Sequence, residues 1–146
     1  MIIAVDFDGT IVEHAYPRIG KEIPFAIETL KRLQREEQHQ LILWTVREGE
    51  LLDEAVAYCR KKGLEFYAVN RNSPEDDTEM QGCRKLNADV FIDDCNLGGI
   101  PDWGVIYKLM KNPHDMYSSF EEIVGSVYSK RKKNFLIRLG ESLERK

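Results

Sequence analysis

The feature that most constrains this chain is its opening stretch, Met1-Ile2-Ile3-Ala4-Val5-Asp6-Phe7-Asp8-Gly9-Thr10. The short apolar run reads as a buried strand, and the Asp-x-Asp-Gly-Thr that follows reads as its C-terminal loop. Open parallel sheets place their ligand sites at that end of a strand. Two carboxylates there point to a metal site with a nucleophile. The plain alternative is a turn chosen for its geometry, since Asp-Gly is a common turn signal. A helix-loop-helix calcium loop is excluded. From Asp6 the alternate positions reach Thr10 and Val12, and the twelfth position, where a Glu is needed, is Pro17.

The rest of the chain alternates strand-like and helix-like segments. Phe25, Ile27, Leu30 and Leu33 fall near helical spacing, with Pro24 suited to a first turn. Leu41-Ile42-Leu43-Trp44 reads as a second strand ending in Thr45. A second helix is expected from Glu48 to Lys62, its apolar face built by Leu51, Leu52, Ala55, Val56 and Cys59, with Gly63 stopping it. Phe66 to Val69 reads as a third strand, and a short helix is expected near Cys83 to Leu86. Val90-Phe91-Ile92 reads as a fourth strand ending in Asp93-Asp94, and Gly104 to Tyr107 as a fifth. Amphipathic helices are expected around Ile123, Val127 and Tyr128 and around Phe135, Leu136, Ile137 and Leu139. Alternation of this kind implies crossover connections: an α/β fold with a mostly parallel, Rossmann-like sheet and helices on both faces.

Bulk properties narrow the function classes. At 146 residues, 42% hydrophobic and 32% charged, one globular domain is expected over 1–146, with a basic helical segment at about 130–146. No apolar stretch is long enough to cross a bilayer. Residues 1–5 lack the basic start and cleavage site of a signal peptide, so a cytoplasmic location is the expectation. The three cysteines, Cys59, Cys83 and Cys95, form no Cys-x-x-Cys pair, which argues against a disulfide framework and against structural zinc. Lys130 to Lys146 holds seven basic against two acidic residues, leaving the body with 14 basic against 23 acidic residues. An acidic body disfavours nonspecific nucleic-acid binding. The run Lys130-Arg131-Lys132-Lys133 reads as the solvated face of a terminal helix.

In a parallel sheet the ends of the first, second and fourth strands share one edge, so Asp6, Asp8, Thr45, Asp93 and Asp94 can converge. Lys85, eight residues before Asp93, can reach the same pocket. Clustered carboxylates raise one another's pKa unless a cation sits among them. Hard oxygen donors without His or Cys favour magnesium over zinc. A carboxylate beside a phosphate can act as nucleophile, a second as acid and base, and a hydroxyl, backbone N–H groups and an ammonium can neutralise phosphoryl charge.

These pieces resemble the haloacid dehalogenase-like superfamily of phosphohydrolases. Asp6-Phe7-Asp8-Gly9-Thr10, Leu41-Ile42-Leu43-Trp44-Thr45, Lys85-Leu86-Asn87-Ala88-Asp89 and Val90-Phe91-Ile92-Asp93-Asp94 are similar to its four motifs, in order, over residues 1 to about 95. The resemblance implies that Asp6 attacks phosphorus to form an aspartyl-phosphate. Asp8 would be the general acid and base, its carbonyl binding the metal. Thr45 and the Val46 N–H would hold phosphate oxygens, and Lys85 would pair with phosphate and Asp6. Asp94 and Asp93 would serve a magnesium ion, one directly and the other in support.

Members of that superfamily commonly carry a cap after the first motif or between the second and third. Here neither gap holds a large cap domain, and the chain resembles the capless members. An open site admits a phosphorylated small molecule or the phosphorylated end of a macromolecule, and a homo-oligomer could close it. Glu13, His14, Tyr16, Arg18, Arg47, Asn70, Arg71 and Asn72 are candidate substrate contacts, with Arg47 and Asn70 foremost. The expected function is a magnesium-dependent phosphatase acting on a phosphate monoester. The alternatives are a phosphotransferase or mutase on the same fold, or a phosphate-binding regulatory protein without turnover. Receiver domains use similar residues in a different order.

Overall fold

The computed structural model describes residues 1–76 and 85–111. They form β1 (Ile2–Val5), α1 (Ala26–Glu37), β2 (Gln40–Leu43), α2 (Gly49–Lys61), β3 (Ala68–Val69), β4 (Val90–Ile92) and α3 (Trp103–Lys111). The four strands lie in the order β3-β2-β1-β4, and every pairing is parallel. This is an α/β, Rossmann-like arrangement.

The apolar run of β1 explains its place. Ile3, Ala4 and Val5 are all buried, as are Leu41, Ile42 and Leu43 of β2. Successive side chains of a strand point to opposite faces, so strands that are apolar throughout need cover on both. Ala4, Ile42 and Ala68 share one face with Leu86, and Trp44, Ala88 and Phe91 pack around them. The register is Ala4 opposite Ile42 on one side and opposite Phe91 on the other.

Strand order positions the site. From β1 the chain steps to β2 and β3 on one side, then returns to place β4 on the other side of β1. Connections therefore diverge between β1 and β4, the place where open α/β sheets put their ligand sites, beyond the C-terminal ends of the strands. The ladder runs past the strands there: the Asp6 N–H donates to Ile92 O at 3.0 Å and the Trp44 N–H to Val5 O at 2.8 Å.

Helix ends follow local chemistry. α2 closes at Gly63, whose φ of +76° is left-handed. The Gly63 N–H reaches Arg60 O at 2.9 Å and the Leu64 N–H reaches Cys59 O at 3.0 Å, a closure that glycine accepts without a Cβ penalty. α1 begins at Ala26, so Pro24 lies just outside it rather than in its first turn. The residue before the helix, Phe25, is itself left-handed, with φ +68° and no side-chain cap. Ala26, Ile27, Leu30 and Leu33 form its buried stripe.

One expected element differs in type. Gly104 to Tyr107 is not a fifth strand but part of α3. Asp102 starts the helix: its carboxylate accepts the Gly104 N–H at 2.8 Å, and its carbonyl accepts the Val105 and Ile106 N–H groups. Trp103 and Ile106, three residues apart, are both buried. At Lys85 and Leu86 the chain is irregular, and the remainder of the short helix expected there lies outside the described residues. The chain divides into two compact units, Met1–Tyr107 and Lys108–Lys146. The helices expected after Ser119 and near Phe135, with the basic run at Lys130, also lie outside the described residues. No described helix is long and apolar enough to cross a membrane.

Because Asp102 caps α3, Asp102→Ala will destabilise the folded protein by about 1 kcal/mol in urea unfolding. A strand at this position would show no such loss.

Candidate active site

Three strand ends supply the site. Asp6 follows β1 directly, Thr45 lies two residues beyond β2, and Asp93 follows β4. Gly9 lets the first loop fold back against the last. Its φ is +94°, and a Cβ there would overlap the Asp94 carboxylate. Thr10, fully buried, ties the same two loops together. Its hydroxyl accepts the Asp94 N–H at 3.1 Å and also hydrogen-bonds the Asp6 carboxylate. Asp93 Oδ1 accepts the Cys95 N–H at 2.7 Å, turning the chain just after the acidic pair.

The acids feel one another. The Asp6 carboxyl is pushed up from 3.8 to about 6, chiefly by burial and then by the negative charges of Asp93 and Asp94. Hydrogen bonds from the Phe7 backbone and the Thr10 side chain oppose the rise. The same two acids raise the exposed Cys95 thiol above its ordinary range. Cys95 is therefore a poor nucleophile at neutral pH. Ligand atoms of Asp93, Asp94 and Cys95 lie within 4.8 Å of one another.

Asp8 is treated differently. Its carboxylate is gripped at both oxygens by Arg47, with Nε to Oδ2 and Nη2 to Oδ1 each at 2.7 Å. Arg47 is 0% exposed and donates further to Pro17 O and Arg18 O, both at 2.9 Å. Its guanidinium lies 5.1 Å from the Phe7 ring and 5.3 Å from the Tyr16 ring. Arg47 is thus committed to the protein's own atoms rather than presented to a substrate. It locks Asp8 to the loop between β1 and α1, where Val12 bridges to both Asp8 and Glu22 and the Glu13 N–H donates to Lys21 O. Sequence spacing identified Arg47 as near the site, but burial of its charge depends on Asp8 being within reach, which only the fold reveals.

Thr45 is held from two sides. Its N–H donates to Asn70 Oδ1 at 2.9 Å, and its hydroxyl accepts the Arg47 N–H at 3.3 Å. A hydroxyl that already accepts keeps its proton to donate elsewhere. Val46 is 84% exposed. Asn70, a foremost candidate for substrate contact, spends its side-chain oxygen on Thr45. Lys85 is exposed, its ammonium 5.5 Å from the Phe91 ring, and among the described residues no ion pair joins it to Asp6. Glu13, His14, Tyr16, Arg18 and Arg71 are exposed, and Asn72 is half-buried. Two roles had no separate signal in the sequence: Thr10 as the bridge from Asp6 to Asp94, and Asn70 as acceptor for Thr45.

No known family model matches the chain, and no curated protein matches it. A solved structure of a conserved protein coded by a Bacteroides thetaiotaomicron locus is 66% identical, with a TM-score of 0.71, covering 77% of this chain and 91% of that one. The chain belongs to the same family as that protein.

Two outcomes follow from the ionic geometry. Arg47→Ala strands a buried carboxylate, so it will cost about 3–5 kcal/mol in chemical unfolding, and Arg47→Lys, lacking the two-pronged grip, will not restore it. Without metal, the raised Asp6 carboxyl favours the folded state only when protonated. Asp6→Asn will therefore melt higher than the parent above pH 6. The gap will close as pH falls from about 6 to below 3.8, where folded and unfolded states are both protonated.

Proposed function

We propose that this chain is a magnesium-dependent phosphatase that hydrolyses a phosphate monoester through an aspartyl-phosphate at Asp6. The observation that carries this reading is the gathering of Asp6, Asp93 and Asp94 at the divergence between β1 and β4, with Asp6 held up near 6 by burial and by its acidic neighbours. A carboxyl in that state wants a cation beside it. The donors are hard oxygens with no histidine among them, which suits magnesium. Asp6, the Asp8 carbonyl, and Asp94 or Asp93 would hold the ion. When bound, it would lower the Asp6 pKa and neutralise charge on the phosphoryl oxygens.

The chain's own groups then divide the work. Asp6 carboxylate attacks phosphorus as the bond to the leaving oxygen breaks. To deliver a proton to that oxygen and later take one from the water that cleaves the aspartyl-phosphate, Asp8 would first have to release one oxygen from Arg47 and take up a proton there. In the structure both its oxygens are held by Arg47, which sets its position but leaves it an ionised acceptor. The Thr45 hydroxyl and the Val46 N–H donate to phosphoryl oxygens. Lys85 would swing from its place beside Phe91 to meet the phosphate. The loop between β1 and α1 is tied by isolated bridges from Val12 to Asp8 and to Glu22, and a site without a large cap would admit a phosphorylated small molecule or the phosphorylated end of a macromolecule. A second copy of the chain would close it for the former.

Phosphate release from a panel of monoesters, with magnesium and with chelator, tests the reading. Magnesium-dependent turnover that Asp6→Asn reduces by at least about a thousandfold is expected. A folded Asp6→Asn protein that retains turnover would refute the assignment.

A further inference from the structure

The loop after β3 is tied to both walls of the proposed phosphate pocket, and no step of the proposed chemistry uses it. Asn70 stands at the end of β3 with φ +52°, a left-handed conformation that asparagine tolerates better than most residues. Its N–H donates to Leu43 O at 2.8 Å, extending the ladder between β2 and β3. Its side-chain Oδ1 crosses to the next strand end and accepts the Thr45 N–H at 2.9 Å. Two residues on, Asn72 makes a second set of bonds. Its own N–H and Nδ2 donate to Asp76 Oδ2 at 3.2 and 3.1 Å. Its Oδ1 accepts the Asn87 N–H at 2.7 Å. Asn87 lies two residues beyond Lys85, and the segment is anchored again where the Asp89 N–H donates to Ile2 O at 2.8 Å.

We infer that Asn70 and Asn72 are positioning residues that set the two phosphate-binding walls, Asn70 through the Thr45–Val46 turn and Asn72 through the backbone that carries Lys85. The inference rests on the proposed phosphate chemistry. The physical reason is economy of freedom. The turn after β2 has three exposed residues, Val46, Glu48 and Gly49, in the four positions beyond Thr45, and a turn carrying a hydroxyl donor and an amide donor must hold both within a fraction of an ångström to stabilise developing charge. Fixing the Thr45 N–H on Asn70 and the Thr45 oxygen on the Arg47 N–H leaves the hydroxyl proton and the Val46 N–H as the donors this turn offers an anion. On the opposite wall, pinning Asn87 limits how far the exposed Lys85 can stray. Both ties originate from the three-residue stretch Asn70 to Asn72, so the walls are set relative to each other.

The test uses the full chain with three variants. Asn70→Gly keeps the left-handed backbone accessible but removes the acceptor. Asn70→Asp returns an acceptor oxygen. Asn72→Ala frees the Asn87 N–H. Three readouts are taken: magnesium-dependent turnover of p-nitrophenyl phosphate, orthophosphate affinity by NMR titration, and hydrogen exchange at the Thr45 amide. We expect Asn70→Gly to stay folded, to lose about ten- to a hundredfold in kcat/KM with a parallel loss of orthophosphate affinity, and to exchange the Thr45 amide faster. Asn70→Asp will slow that exchange again, which a merely structural role would not require. Asn72→Ala will weaken orthophosphate binding without speeding exchange at Thr45. A folded Asn70→Gly protein with turnover and orthophosphate affinity within about twofold of the parent overturns the inference. Should Asn70→Gly fail to fold, fast Thr45 exchange in folded Asn70→Asp overturns it. A parent that binds orthophosphate in an Asn70-dependent way without turnover removes the phosphatase reading and leaves the positioning role standing. A parent that does neither removes both.

Discussion

Like charge gathered at one sheet edge is the constraint around which the described structure is arranged. Asp6, Asp93 and Asp94 are brought together because β1 lies between β2 and β4, and because the chain reverses its direction of travel across the sheet at β1. Burial alone would resist ionisation of Asp6, and its acidic neighbours add to that resistance. The fold tolerates the crowding through the buried Thr10 hydroxyl, which touches both ends of the cluster, and through Gly9, whose missing side chain leaves space for the Asp94 carboxylate. These are local solutions that keep the acids close. They do not neutralise them, and a divalent cation at this edge belongs to the proposed function.

Asp8 shows the contrasting solution two residues away. Its charge is fully paired by Arg47, and that pair is shut away from water. A buried ion pair is weak evidence for net stability but strong evidence for a specified geometry, since removing one partner leaves the other without compensation. The same guanidinium also holds the carbonyls of Pro17 and Arg18, so the position of Asp8 and the course of the loop over it are one decision. Rigid elements and short ties of this kind hold charged side chains in a fixed geometry at the sheet edge.

Much of this was legible in the sequence, for identifiable reasons. β1 and β4 are apolar runs ended by acids, and their bounds match the observed strands. α2 was readable from its apolar spacing and from Gly63. The convergence of Asp6, Asp93 and Asp94 followed from parallel topology alone. What escaped was of two kinds. The segment of α3 from Gly104 to Tyr107 reads as a strand because Gly104 and Val105 weaken a helical pattern, whereas the cap at Asp102 and the Trp103–Ile106 spacing carry the helical signal. Arg47 and Asn70 read from the sequence as polar residues near the site; that Asp8 holds Arg47 and that Thr45 takes the Asn70 side-chain oxygen are internal partnerships a sequence does not display. Asn70 meets Thr45 across 25 residues of chain, and no local pattern encodes that bond.

The most direct measurement is chemical trapping of the covalent intermediate. Protein turning over a phosphate monoester with magnesium would be quenched with borohydride, which reduces an aspartyl-phosphate to homoserine, and then mapped by peptide mass spectrometry. The account predicts homoserine at Asp6, dependent on both substrate and magnesium. Turnover accompanied by modification at another residue, or by none, would contradict it.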